Sequence, residues 1–233
     1  MFTLHNGDCL EYLATLPVGS VSCVVTDPPY IGYEYDWEYV DMMKFPQWIL
    51  DLRWFCFWSG SEFPLTFSAR HIWSKANRNI GKNAEQYEEI YERNGSTTGL
   101  VYRHAVIDSV MNAQLNRDEF FNHPTQKPIT LMKKLVEKIS RPGDVILDPF
   151  MGSGTTGVDA LKLGRSFNGC EKKVEYFRMA ESRVQSAVLS PSFFTPSNNR
   201  LHMDAGDSPR QKDLFTPEAD SAEGKLPAPA PRR

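Results

Sequence analysis

The sequence predicts an α/β fold with a mostly parallel sheet, and three observations carry that prediction. Strand-like and helix-like stretches alternate from the N-terminus to about Val188, the pattern of a sheet whose parallel strands are joined by helices. Residues 21–26 (VSCVVT) form a short, apolar, β-branched run without helical spacing, which fits a strand covered on both faces. That run stops at Asp27-Pro28-Pro29-Tyr30, and later in the chain residues 148–157 (DPFMGSGTTG) lie between a strand and a helix. Two adjacent prolines can continue neither a ladder nor a helix, so the chain leaves the sheet there as a stiff loop.

Taken in order, residues 9–16 have helical spacing and 21–26 are the first strand. An aromatic, acidic loop (YIGYEYDWEY) follows, then a helix over 42–51 and a buried strand over 54–58. Residues 129–140 (ITLMKKLVEKIS) place apolar side chains three and four apart, as an amphipathic helix requires. The turn Arg141-Pro142-Gly143-Asp144 leads into a strand at 145–147, a helix at 158–163 with Gly164 as its C-cap, a strand at 166–170 and a helix at 174–184. From 189 to 233 the chain is rich in Pro, Ser, Ala and charge with no period, which predicts a disordered C-terminal tail.

At 233 residues with 41% hydrophobic and 12% aromatic content, the chain can bury one sizeable core. No apolar run approaches membrane-spanning length, and the first ten residues lack the basic-then-apolar order of a secretory signal, so a cytoplasmic location is expected. Cys9, Cys23, Cys56 and Cys170 are scattered, with no CxxC pair and no histidines at metal spacing, so neither disulfide nor metal is expected. A net charge of −3 gives no global attraction to nucleic acid, so such a role needs local basic patches.

Two stretches carry chemistry. In open α/β sheets ligands bind beyond the carboxyl ends of the strands, which is where Asp27 and Tyr30 present a carboxylate and a ring. A planar polar substrate suits that pair, although a strand-ending turn with a capping Asp accounts for the tetrapeptide equally well. In the second stretch Gly152, Gly154 and Gly157 fit the spacing GxGxxG ahead of a helix, whose first amides are open to a ligand. Glu171 lies just past the next strand, where a ribose-binding acid belongs. No lysine follows the glycines in the Walker position, which leaves dinucleotide binding as the default from this loop alone.

Three motifs in sequence, DPPY at 27–30, HPTQKP at 123–128 and DPFMGSGTTG at 148–157, resemble the β group of amino-group DNA methyltransferases. The likeness covers most of residues 3–185 and includes Gly7-Asp8-Cys9, Ile72-Trp73-Ser74-Lys75 and Tyr87-Glu88-Glu89-Ile90. It implies a Rossmann-like methyltransferase fold with a mostly parallel, doubly wound sheet, in the permuted order that puts the catalytic motif before the cofactor motif. It also implies S-adenosylmethionine as cofactor, with no metal. Asp8, Thr125, Lys127, Asp148, Phe150, Gly152, Ser153, Gly154, Thr155 and Glu171 then belong to the cofactor pocket, Asp8 reaching the adenine amine, Glu171 the ribose and Lys127 the methionine carboxylate. A helix N-cap is an equally good account of Asp8. Asp27, Pro28, Pro29 and Tyr30 are the implied catalytic set, acting on the N6 amine of a flipped adenine in double-stranded DNA. An N4 amine of cytosine is the alternative target, and Asp rather than Ser at position 27 favours adenine.

Arg70, Lys75, Arg78 and Lys82, with His71 and Trp73 among them, form a basic stretch that could contact DNA or be an ordinary solvated loop. The resemblance makes residues 1–188 the catalytic domain, with a short target-recognition insert at about 91–122. The interval between DPPY and HPTQKP is short for the family, so a catalytically weak DNA-binding relative is a competing class. A nucleotide-linked oxidoreductase is another, but it leaves DPPY and HPTQKP idle. The expected state is a monomer or homodimer. In the tail, Gln211, Leu214 and Phe215 (QKDLF) resemble the peptide by which bacterial proteins dock on the DNA polymerase sliding clamp.

Overall fold

The computed structural model describes residues 1–29, 40–59, 62–75, 87–104 and 127–189, without the side chains of 75 and 101–104. Its elements are β1 (Phe2–Asn6), α1 (Cys9–Thr15), β2 (Cys23–Thr26), a 3-10 turn (Met42–Lys44), α2 (Gln47–Leu50), β3 (Arg53–Trp58), β4 (Ala69–Lys75) and β5 (Tyr87–Arg93). Then come β6 (Val101–His104), α3 (Ile129–Ile139), β7 (Val145–Asp148), α4 (Thr155–Lys162), β8 (Ser166–Glu171) and α5 (Val174–Leu189). All lie within one unit, Met1–Phe194. Tyr30, Arg78, Lys82, Thr125 and the tail peptide Gln211, Leu214 and Phe215 fall outside the described residues.

The eight strands form one sheet in the order β1-β8-β7-β2-β3-β5-β4-β6. Strands β1, β8, β7, β2 and β3 run parallel, and β5 is antiparallel to both β3 and β4. Alternate side chains feed two apolar layers, as strand geometry requires. Val24, Trp54, Cys56, Trp58, Leu147 and Cys170 pack with α1, the 3-10 turn and α2 on one face. Cys23, Val25, Phe55, Phe57, Ile146 and Phe167 pack with α3, α4 and α5 on the other. The sheet is therefore doubly wound and the strands nearest its centre are buried on both sides, as expected of residues 21–26 and 54–58.

From β2 the chain passes along one face to β3, and from β7 it passes along the other to β8. The connections diverge, so the carboxyl ends of β2 and β7 flank a topological switch point. Two hydrogen bonds hold the strands at their opposite ends, where Ser22 N–H donates to the Val145 carbonyl at 2.9 Å and Val145 N–H to Ser22 Oγ at 3.0 Å.

Several elements differ from the sequence reading. The helix expected over 42–51 is broken by Pro46, which lacks an N–H, into the 3-10 turn and α2. Helix α4 begins at Thr155 instead of 158, because Gly154 in the left-handed region turns the chain directly into it. Helix α5 runs to Leu189, beyond the expected 184 and into the first residue of the expected tail. Strands β1, β4, β5 and β6 were not expected. The basic stretch from residue 70 begins as β4, which buries His71 and Trp73 and so removes both from any DNA surface. Residues 91–93 and 101–104, at the start of the expected insert, are strands of the sheet.

A buried ionic cluster fixes the antiparallel part. Glu92 of β5, fully buried, accepts from Arg53 of β3, from His71 Nε2 of β4 at 2.9 Å, from Lys138 of α3 at 3.1 Å and from Ser96 N–H at 3.0 Å. His71 Nδ1 accepts from Leu100 N–H at 3.0 Å, which assigns the proton to Nε2. Burial opposes charge on Glu92, yet donation from Arg53, Ser96, Lys138 and His71 outweighs it and holds the carboxyl at about 2. Burial lowers the His71 pKa and keeps the ring neutral. Both groups bind protons less readily folded than unfolded, so both contribute stability that fades in acid: His71 as pH falls below 6.5, Glu92 between 4.5 and about 2. Breaking the cluster with Glu92→Gln is expected to cost on the order of 3–5 kcal/mol in urea unfolding at neutral pH. The gap between wild type and variant should narrow as pH falls from 4.5 towards 2.

Candidate active site

Four adjacent parallel strands each end at a carboxylate: Asp8 after β1, Glu171 closing β8, Asp148 closing β7 and Asp27 just past β2. The end of β1 is tied to that of β8 by Gly7 N–H donating to the Glu171 carbonyl at 3.1 Å, and by Asn6 Nδ2 donating to the same oxygen at 2.8 Å. Asp8 is the N-cap of α1, with Oδ1 accepting from Leu10 N–H at 2.8 Å. The capping account of this residue is therefore realised, at the carboxyl edge beside Glu171.

Glu171 accepts at Oε2 from Gly152 N–H (3.0 Å) and at Oε1 from Lys173 N–H (2.8 Å). Burial raises its pKa, and these backbone donors oppose the rise. The glycine loop is thus clipped to β8, and Met151 N–H adds a bond to the Cys170 carbonyl at 2.9 Å. Gly154 sits at φ +79, and a Cβ there would come within 2.9 Å of Ala180 on α5, so no larger residue fits. Phe150 is half-buried and stacks on Phe45, ring centroids 6.3 Å apart.

Asp148 is buried at the floor of the edge. Thr26 Oγ1 donates to its Oδ1 at 2.8 Å, Thr156 Oγ1 to its Oδ2 at 2.7 Å and Phe150 N–H to Oδ1 at 3.1 Å. Burial pushes its pKa to about 7, against the lowering influence of the three donors. These bonds lock β2, β7 and the start of α4 together, so Asp148 serves as scaffold for the loop. Ser153 and Thr155, expected in the cofactor pocket, are also buried, and their hydroxyls accept from Arg183 of α5 at 3.0 and 3.2 Å. Arg183 also donates to the Ser153 carbonyl. Nothing in the sequence marks this arginine, one charge among several on an amphipathic helix.

Across the switch point, Lys127 Nζ donates to Asp27 Oδ2 at 2.6 Å and pairs with Glu88 Oε2 at 3.1 Å. Its ammonium also lies 4.9 Å from the Phe57 ring centroid and 6.0 Å from that of Trp73. Lys127 is only 8% exposed. Burial alone would lower its pKa, but Asp27 and Glu88 prevail and hold it above that of a free lysine. HPTQKP and DPPY, a hundred residues apart, therefore meet at an ion pair. The cation expected to await a ligand carboxylate is held by two carboxylates of the protein. Arg70, the one proposed DNA contact with a described side chain, is exposed on β4 and pairs with Glu89 at 3.2 Å.

The carboxyl edge thus carries Asp8, Glu171 and the glycine loop on β1, β8 and β7, and the Asp27 carboxylate beside them on β2. Among the described residues no cluster of His, Cys, Asp and Glu could hold a metal ion. The DNA methylase family profile matches residues 55–182. DNA adenine methyltransferase YhdJ of Escherichia coli K12 is 29% identical over 245 residues, covering 79% of this chain and 83% of that protein. Type II methyltransferase M2.DpnII of Streptococcus pneumoniae is 48% identical over 64 residues, 28% of this chain and 24% of that one. The M1.HpyAVI–SAM complex shares the fold at TM-score 0.54 and 23% identity, over 78% of this chain and all of that one. PvuII DNA methyltransferase, cytosine-N4-specific, shares it at TM-score 0.54 and 17% identity, over 78% and 86%.

The close approach at residue 154 has a measurable consequence. Gly154→Ala puts a Cβ against Ala180 and an L-residue in the left-handed region, and should destabilise the protein by about 2 kcal/mol or more in urea unfolding.

Proposed function

We propose that this chain, which belongs to the DNA methylase family, transfers a methyl group from S-adenosylmethionine to the N6 amine of adenine in double-stranded DNA. The observation that carries this reading is the Asp27 carboxylate, fixed by Lys127 beside the glycine loop at the switch point. Two half-sites, one for a nucleoside-bearing donor and one for an amine, then share one strand edge. The adenine target is supported by the Asp in DPPY and by the named activity of YhdJ. The fold is equally like that of a cytosine-N4 enzyme, which keeps that amine as the alternative.

The donor supplies a sulfonium methyl group. In this reading Glu171 takes the ribose hydroxyls, Asp8 the adenine amine of the donor, and Phe150, Gly152 and Gly154 line its path, with Thr125 nearby. Asp148, Ser153 and Thr155 act beneath them by holding the loop.

An exocyclic amine is a poor nucleophile because its lone pair is delocalised into the ring. Asp27 and the carbonyl of Pro28 accept its two hydrogens and draw the nitrogen towards tetrahedral geometry, exposing the lone pair. That is positioning with charge stabilisation, and it needs no covalent intermediate. Lys127 is anchored by Glu88 as well, so it keeps Asp27 ionised without leaving the site when substrate enters. Flipping the base out of the duplex costs a few kcal/mol, and stacking on the Tyr30 ring returns about 1–3. Arg70, Lys75, Arg78 and Lys82 are proposed to hold the DNA backbone.

Asp27→Ala removes the acceptor while Lys127 keeps Glu88 as partner. It should lower kcat for DNA methylation by about 100-fold or more, with the dissociation constant for S-adenosylmethionine changed by less than about 3-fold. Steady-state kinetics and equilibrium dialysis measure the two quantities, and full activity in this variant would overturn the assignment.

A further inference from the structure

Glu88 lies on β5, outside the three motifs, and its Oε2 pairs with Lys127 Nζ at 3.1 Å. The ammonium has three hydrogens. Among the described residues, one goes to Asp27 Oδ2 and one faces Glu88 Oε2, with the Phe57 and Trp73 rings also close to the ammonium. A buried cation paired in this way is held from two sides, because moving away from either carboxylate gives up an ion pair. With Glu88 absent, Lys127 would rest on Asp27 alone, and any movement of the lysine would move the carboxylate with it.

Resting on the function proposed above, we propose that Glu88 is a positioning residue for methyl transfer. Together with the Phe57 and Trp73 rings, it fixes Lys127 against Oδ2 of Asp27, so that Asp27 meets the amine ionised and in one orientation. Its second role is electrostatic. The pair Asp27–Lys127 is neutral, whereas Glu88 makes the trio negative and preserves the strength of Asp27 as an acceptor.

The charge relations give opposite signs for two substitutions. Around Asp27, the titratable groups among the described residues are Lys127, Glu88 on β5, Asp148 at the end of β7 and Cys56 on β3. Burial holds the Cys56 thiol protonated, so it adds no charge. Removing the cation with Lys127→Met leaves Asp27 facing Glu88 as a like charge and raises the Asp27 pKa. Removing Glu88 as an anion, in Glu88→Gln, leaves Asp27 with an undivided cation and lowers it. A methionine lies along the same two rings as the lysine stem, and the double variant carries neither charge, so folding is protected in the comparison.

The test uses the full chain with carbon-13 in its aspartate carboxyls, the Asp27 signal being identified by its loss in Asp27→Asn. Lys127→Met should raise the Asp27 titration midpoint and the acid limb of the kcat–pH profile together, by about one pH unit or more. Lys127→Met with Glu88→Gln should bring both back down. Lys127→Arg, which keeps the charge, should stay near the wild-type midpoint. Glu88→Gln alone should shift the midpoint down and reduce kcat about 10-fold, with KM for DNA within about 2-fold. An Asp27 midpoint unchanged in Lys127→Met, in an enzyme whose wild type methylates DNA, overturns this proposal alone. A wild type that transfers no methyl group to DNA overturns the proposed function and the catalytic half of this proposal. The NMR shifts would then still report the charge trio.

Discussion

The buried ammonium of Lys127 is the constraint around which the rest of the site is arranged. It joins the end of β2 to β5, and it lies over β3 and β4 through Phe57 and Trp73. A single side chain thus ties the parallel part of the sheet to the antiparallel part, at the edge where chemistry is proposed. A charge so far from water is tolerated only because two carboxylates and two aromatic faces replace its hydration. The arrangement favours precision over stability, since breaking a buried pair leaves an uncompensated charge, whereas an apolar pair of equal volume need not destabilise.

The neighbouring half of the site follows a different rule. There side chains hold the backbone of the loop in place. Gly152 is clipped to Glu171, Asp148 gathers two threonine hydroxyls and an amide, and Arg183 grips the turn from behind. Only Gly154 can occupy the closest approach between the loop and α5. At the far end of the sheet the cluster around Glu92 holds β3, β4, β5 and α3 in register without contacting the site. The ionic groups therefore divide by position, one set fixing the edge where chemistry is proposed and the other fixing the scaffold.

Much of this was legible in the sequence. Residues 21–26, 54–58 and 145–147 are apolar without helical spacing, because they sit centrally between helical layers, and burial on both faces leaves that signature. Strands β4 and β5 were hidden because their inward positions include His71 and Glu92, which break the apolar alternation, while a polar loop shows the same composition. The motifs placed Asp27, Lys127, Gly152 and Glu171 on one edge. Pattern alone could not show that Lys127 is paired inside the protein, since Glu88 and Asp27 are brought to it by strand pairing across a long sequence separation. Asp8 was ambiguous for a physical reason: a carboxylate just after a strand suits both a cap and a ligand, and the cap it forms is compatible with the proposed contact.

In the proposed reaction a carboxylate held in place by a buried lysine presents an adenine amine to a methyl donor. It is tested most directly by incubating the full chain with tritiated S-adenosylmethionine and double-stranded DNA, then digesting the DNA to nucleosides and separating them. The label is expected in N6-methyldeoxyadenosine. Label in N4-methyldeoxycytidine, or none in DNA, would contradict it.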